Sequence, residues 1–213
     1  VFAFAVGSER FVVRHSPYKG TERLRVASEN GVGPPLAYVD VAGDIAIMAR
    51  FDGLPAPALR DPASRAVLAA TLRRIHQGPA FPPNMPTAEF YGLIRDEYSK
   101  RTGEDLPAAL TQLLADCSKR SADVALAPCH RDLNPGNVLV KRPTETEPAR
   151  VCILDWDSAG AGDPFLDVAQ FCVFYAPSAE ARLDFLRDYL AHEPSDAERT
   201  RLDQAHLYAL TTY

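Results

Sequence analysis

Apolar and small or polar residues alternate at the start of the chain. Phe2, Phe4 and Val6 recur at every second position, Gly7-Ser8-Glu9 supplies a turn, and Arg10 to His15 resumes a β-branched and aromatic run. A period of two marks a strand, so residues 1–16 predict a β-hairpin. Between Thr21 and Asn30 the spacing becomes helical, with Leu24, Val26 and Ala27, and Gly31 is a good C-terminal stop. Pro34-Pro35 then forces an extended entry into Leu36 to Asp40. A second hairpin turns at Ala42-Gly43-Asp44 and continues from Ile45 to Arg50.

After a Pro-rich connector at 51–62 the pattern changes. Val67, Leu68, Leu72 and Ile75 predict a helix from Ala63 to His76, and the four prolines of 78–86 predict a loop. Helices follow at 87–100 and 106–120, separated by Thr102-Gly103. Two apolar strands, 137–140 and 150–154, are joined by the polar loop 142–149. The rest reads as helical, with breaks near Pro177 and Pro194. A β-rich front and a helical back containing one hairpin predict a two-lobed α+β protein. The division falls into residues 1–50, a small N-lobe, and residues 51–213, a larger C-lobe.

Composition narrows the field. A net charge of −5 and a pI near 5.5 argue against a nucleic-acid binder and against a basic membrane-surface anchor. No apolar run is long enough to span a bilayer, and no segment reads as a signal peptide. The four cysteines show no C-x-x-C spacing, so reduced, buried thiols in a cytoplasmic protein are expected rather than disulfides or a zinc site. The sequence leaves the oligomeric state open. It starts without Met, directly in a strand-like segment, which suggests part of a longer polypeptide.

The chemistry concentrates in Cys129-His130-Arg131-Asp132-Leu133-Asn134-Pro135-Gly136-Asn137, just before a strand. His-Arg-Asp with Asn five positions after the Asp follows the kinase catalytic-loop pattern. A loop of that length lets Asp132 face an acceptor hydroxyl while Asn137 turns its amide oxygen toward a metal ion. Eighteen residues beyond Asn137, at the end of the next strand, stands Asp155 in Leu154-Asp155-Trp156-Asp157. A carboxylate leaving a buried strand is placed to chelate Mg2+ against nucleotide phosphates. The order, the spacing and the intervening hairpin agree on one phosphoryl-transfer site.

The segments HRDLNPGNVLV and ILDWDSAGAGDPFLDVAQF resemble the aminoglycoside phosphotransferase and choline kinase superfamily, most of all bacterial choline kinase-like or thiamine kinase-like proteins. The likeness covers nearly all of Ala127 to Phe174. It implies a two-lobed protein-kinase-like fold, ATP and Mg2+ as cofactors, and a small-molecule hydroxyl acceptor. Choline, ethanolamine or thiamine is the leading acceptor and an aminoglycoside the second. Further upstream, RFVVR (10–14) resembles the strand whose terminal basic residue holds the nucleotide phosphates, here Arg14. Glu22 is the candidate partner for Arg14, with a solvated helix-start Glu as the other reading. The adenine is expected near Met48, Ala49 and Arg50, bonded through backbone groups. Within LRRIHQGPAF, His76 is expected to support the core.

The resemblance also implies supporting roles. His130 is read as a brace for the catalytic loop rather than a proton shuttle, and Asp157 as a second acid near the metal where the family usually has Glu. Asp163 and Asp167 read as caps and anchors, with Asp163 facing a cationic substrate as the alternative. Trp156, Phe171, Phe174 and Tyr175 read as core packing, with an aromatic box for a quaternary ammonium as the alternative. No glycine-rich phosphate loop precedes the first hairpin, so that loop is expected outside this sequence. This gap and Arg14 keep open a rival reading, a nucleotide-binding pseudokinase scaffold. A kinase acting on protein side chains is disfavoured, because no Ala-Pro-Glu segment follows Asp155.

Overall fold

The first strands pair as their alternation requires. In a computed structural model describing residues 1–213 apart from 16–20, 41, 56–60, 123 and 211–213, β1 (Phe2–Val6) runs antiparallel to β2 (Glu9–His15). Phe4 lies opposite Phe11, and their rings stack at 5.4 Å. The helix α1 (Thr21–Glu29) buries Leu24 and Ala27 and ends at Gly31, whose φ of +68° suits a residue without Cβ. Next, β3 (Leu36–Val39) and β4 (Ile45–Ala49) complete a four-stranded antiparallel sheet in the order β1-β2-β4-β3. This is the small N-lobe.

The connector contributes a two-residue strand, β5 (Leu54–Pro55), that the sequence pattern did not reveal. It pairs with β7 (Val138–Lys141), which pairs in turn with β8 (Arg150–Ile153). Behind them lies α2 (Pro62–His76), started by Asp61, whose carboxylate accepts the Ser64 N–H at 2.9 Å. Its apolar stripe, Leu68, Leu72 and Ile75, is fully buried. The helices α3 (Thr87–Thr102) and α4 (Ala108–Ala122) pack on each other, with Gly103 as the left-handed stop between them.

A second element missed from the pattern matters more. Strand β6 (Ala127–Cys129) pairs with β9 (Gly160–Gly162) and so sets the start of the first motif segment beside the middle of the second. Three helices close the fold: α5 (Pro164–Tyr175), α6 (Ala179–Leu190) and α7 (Asp196–Ala209), with α5 packed on both of the others. Among the described residues no helix is long and apolar enough to cross a membrane. Cys129, Cys152 and Cys172 are buried free thiols; the side chain of Cys117 lies outside the described set.

Candidate active site

Strand β6 delivers His130 into the core, where it is fully buried. Its ring Nε2 bonds the Leu154 carbonyl at 2.9 Å, and Nδ1 faces the Asp132 N–H at 3.3 Å. A carbonyl can only accept, so Nε2 carries the proton and Nδ1 is the acceptor. The imidazole thus ties the catalytic loop to the strand end that presents Asp155. It also meets Trp156 edge-on at 4.8 Å.

The main anchor below the loop is Asp167 on α5, which is also fully buried. Oδ2 accepts the His130 N–H at 2.8 Å and Oδ1 accepts the Arg131 N–H at 2.8 Å. His76 Nε2 lies 3.1 Å from Oδ2, and its Nδ1 lies 2.8 Å from the Tyr189 hydroxyl. Burial pushes the Asp167 carboxyl upward, but the His76 hydrogen bond and charge and the His130 backbone N–H outweigh it, so its pKa is lowered. One helical turn along, Gln170 accepts the Leu133 N–H at 2.9 Å and donates to the Arg131 carbonyl at 3.1 Å. His76, Cys129 and Asp167 cluster closely enough to suggest a metal site. However, His76 and Asp167 already spend these ligand atoms on each other, on Tyr189 and on the loop N–H groups.

On this support sits the half-buried Asp132. Its Oδ1 accepts from Asn134 Nδ2 at 3.0 Å and its Oδ2 from Asn137 Nδ2 at 3.0 Å. Asn137 Nδ2 also reaches the Asp132 carbonyl at 2.9 Å. With its nitrogen committed to Asp132, Asn137 has its Oδ1 left as an acceptor. Asp155 follows β8 in a left-handed conformation, φ 57°, and Arg131 has φ 70°. Each such residue costs about 1–3 kcal/mol, and two of the three positive-φ non-glycine residues among those described flank this one site.

Arg14, at the end of β2, reaches down to both acids. Its guanidinium pairs with Asp155 at 3.0 Å and with Asp157. Asp157 Oδ1 is buried without a hydrogen-bond partner among the described residues. Asn84 Nδ2 fixes the backbone beneath by donating to the Asp157 and Ala159 carbonyls at 2.9 and 3.1 Å. Asp155, Asp157 and Asn137 Oδ1 form a hard-oxygen donor set with one orphaned buried oxygen, and such a set fits Mg2+.

A cavity of about 480 Å³ opens between the sheet and this floor. Arg14, Met48, Ala49, Arg50, Asn137 and Asp155 all line it, and Val12, Leu24 and Leu139 supply apolar walls. The N–H groups of Ala49 and Arg50 already donate to the Pro35 and Arg10 carbonyls at 2.8 and 2.9 Å. Those two N–H groups are therefore engaged within the N-lobe itself. Phe51, absent from the sequence reading, also lines the cavity.

Other expectations change as well. Glu22 is exposed in the first turn of α1, and the carboxylates that meet Arg14 are Asp155 and Asp157. Trp156 is fully buried, donates its indole N–H to the Ile153 carbonyl at 2.9 Å, and packs on Phe81. Tyr175 instead stacks on Phe171 at 5.0 Å, and burial pushes its phenol up to about 12. Trp156 and Tyr175 thus pack in one core against different rings, which leaves neither face free for an aromatic box. Asp163 caps α5 through the Phe165 N–H at 2.9 Å and pairs with Arg201, so its carboxylate is committed to structure.

The pattern of the phosphotransferase enzyme family (APH) matches residues 4–202. LicA of Haemophilus influenzae is 25% identical over 118 residues, covering 55% of this chain and 33% of LicA. The chain thus matches a third of that relative's length, and 42% of a second LicA sequence. A choline/ethanolamine kinase family protein from Mesorhizobium loti superposes with a TM-score of 0.73 at 22% identity, covering 99% of this chain and 74% of that one. A spectinomycin phosphotransferase in an AMP-bound complex superposes with a TM-score of 0.61 at 13% identity, covering 99% and 81%. These structures share the fold, and the family match over nearly the whole length settles the membership: this chain belongs to the phosphotransferase enzyme family.

Proposed function

We propose that this protein moves the γ-phosphoryl group of ATP to a hydroxyl of a small molecule. The observation that carries the reading is Asp132, held by Asn134 and Asn137, beside a cavity whose polar end is Arg14, Asn137 and Asp155. ATP would lie in that cavity with its base between Leu24 and Leu139, near Met48 and the backbone around Ala49 to Phe51. The AMP-bound spectinomycin phosphotransferase supports nucleotide use. Mg2+ would be held by Asn137 and Asp155, with Asp157 as a further acid, and its chemistry when bound is neutralisation of phosphate charge.

The residues themselves supply positioning. Asp132 accepts the acceptor's hydroxyl proton as the new O–P bond forms and the bond from phosphorus to the β–γ bridging oxygen breaks. His130 and Asp167 keep Asp132 in place through the loop backbone. Arg14 exchanges its carboxylates for phosphate oxygens, to which a planar guanidinium is suited. The division into residues 1–50 and 51–213 belongs to the same reading. Arg10 and Arg50 on one side both pair with Asp52 on the other, which supports a boundary between them.

Choline, ethanolamine or thiamine is the acceptor class this reading favours, in line with the shared fold of the choline kinase LicA from Streptococcus pneumoniae. A cytoplasmic site of action, where ATP is available, goes with it. The test is ADP release from Mg-ATP with choline, ethanolamine, thiamine and spectinomycin in turn. Acceptor-dependent turnover with one of the first three is expected. Normal ATP binding without turnover on any alcohol would overturn the reading in favour of a scaffold.

A further inference from the structure

The nucleotide cavity has a neighbour. A second cavity of about 360 Å³ is walled by the end of α1, the outer side of α2 and the free edge of β8. The extended segment 33–35 divides the two: Pro34 lines the first cavity, Gly33 and Pro35 line the second, and Phe51 lines both. A Cβ on Gly33 would stand 3.0 Å from the Trp156 indole nitrogen, so this partition is pressed against the core.

Arg74 and Arg150 reach the second cavity from different walls. The chain carries a net charge of −5, yet among the described residues no Asp or Glu lines this cavity. Arg14, Arg65, Arg187 and Arg201 all have carboxylate partners. Among the described residues no ion pair engages Arg74 or Arg150. Backbone and hydroxyl donors add to them. The Ile153 N–H points off the sheet edge to the Val32 carbonyl at 3.1 Å. Peptide groups two apart on a strand point the same way, which turns the Val151 N–H toward the cavity that Val151 lines. Ser28 Oγ accepts the Leu36 N–H at 2.9 Å and keeps its own hydrogen to donate.

We propose that this cavity binds a small multivalent oxyanion, a phosphate group or a dicarboxylate, with Arg74 and Arg150 as its charge partners. Phe51 links it to the nucleotide cavity. The Arg150 guanidinium lies 6.0 Å from the Phe51 ring centre. An anion that draws Arg150 away therefore alters a wall shared with the nucleotide. This inference stands on the cavity alone and does not require that the chain transfer phosphate.

The experiment is calorimetric titration with inorganic phosphate, then with malonate, while magnesium-free ADP fills the nucleotide cavity. The double variant Arg74→Gln/Arg150→Gln should weaken phosphate binding at least about tenfold. Its thermal midpoint should move by no more than a few degrees, because neither guanidinium has an ion pair to lose and only the exposed Arg150–Phe51 contact goes. Malonate binding as tightly as phosphate would support a carboxylate-accepting site, and phosphate alone would support a phosphate-ester site. By linkage, ADP affinity should shift about threefold or more when phosphate saturates, and Phe51→Leu should abolish that shift. Phosphate affinity unchanged in the double variant, no binding of either anion, or ADP affinity indifferent to phosphate would overturn the proposal.

Discussion

The loop from His130 to Asn137 and the strand carrying Arg14 face the same cavity, but they are held by different forces. Beneath the loop, Asp167 and Gln170 of α5 bond its backbone, and the buried His76 of α2 bonds Asp167 in turn. The strand β2 belongs to a sheet with one exposed edge and reaches the floor through Arg14, whose partners Asp155 and Asp157 are 50% and 42% exposed. Buried charge-assisted hydrogen bonds contribute about 1.5–3 kcal/mol each, whereas exposed ion pairs contribute about 0–1 kcal/mol. The floor is therefore fixed before any ligand arrives, while the link from the sheet is weak enough for a nucleotide to replace.

Breaking the floor at its chemical centre should have the largest effect. Asp132→Ala should lower acceptor-dependent turnover by about a thousandfold and keep nucleotide affinity within a few-fold, measured by coupled ADP release and equilibrium binding. Asp167→Asn comes next. It leaves two N–H donors facing an amide and should cost about 3 kcal/mol in urea denaturation. Its pH dependence has a definite sign. The lowered folded pKa of Asp167 means that its contribution is complete above the ordinary carboxylate value of 3.8 and fades as pH falls through the folded value. The stability gap between the wild type and Asp167→Asn should therefore be widest near neutral pH and narrow below about pH 4.

Two smaller changes sharpen the contrast. Trp156→Phe removes a buried hydrogen bond and part of a ring, and should cost about 1–2 kcal/mol. Acceptor KM should stay within about twofold, since the indole faces the core; a large KM change would return it to the substrate site. Glu22→Gln on the exposed face of α1 should change stability by less than about 0.5 kcal/mol and leave nucleotide affinity alone. Equilibrium denaturation and fluorescence titration read both.

The sequence showed the floor better than its supports, for physical reasons. Phosphoryl transfer needs particular residue types at fixed short separations, so HRDLNPGN and the following LDWD are visible without coordinates. Strands β6 and β9 have three residues each, Ala-Pro-Cys and Gly-Ala-Gly, too short for any period to register. The anchoring work of Asp167 is spent on backbone N–H groups 36 and 37 residues away, which no side-chain pattern encodes. Arg14 meets acids 141 and 143 positions on rather than the nearby Glu22, because the partners of a long side chain are decided by how the lobes close. Trp156 shows the opposite hazard: an aromatic beside a functional acid looks available until its burial is seen.

Electron paramagnetic resonance of Mn2+ in place of Mg2+, titrated with ATP into the wild type, Asp132→Ala and Asp155→Ala, tests the central claim most directly. The account predicts that Asp132→Ala binds the metal–nucleotide pair like the wild type, while Asp155→Ala weakens it by about tenfold or more. Metal–nucleotide binding lost in Asp132→Ala and intact in Asp155→Ala would contradict the assignment of chemistry to the first acid and metal to the second.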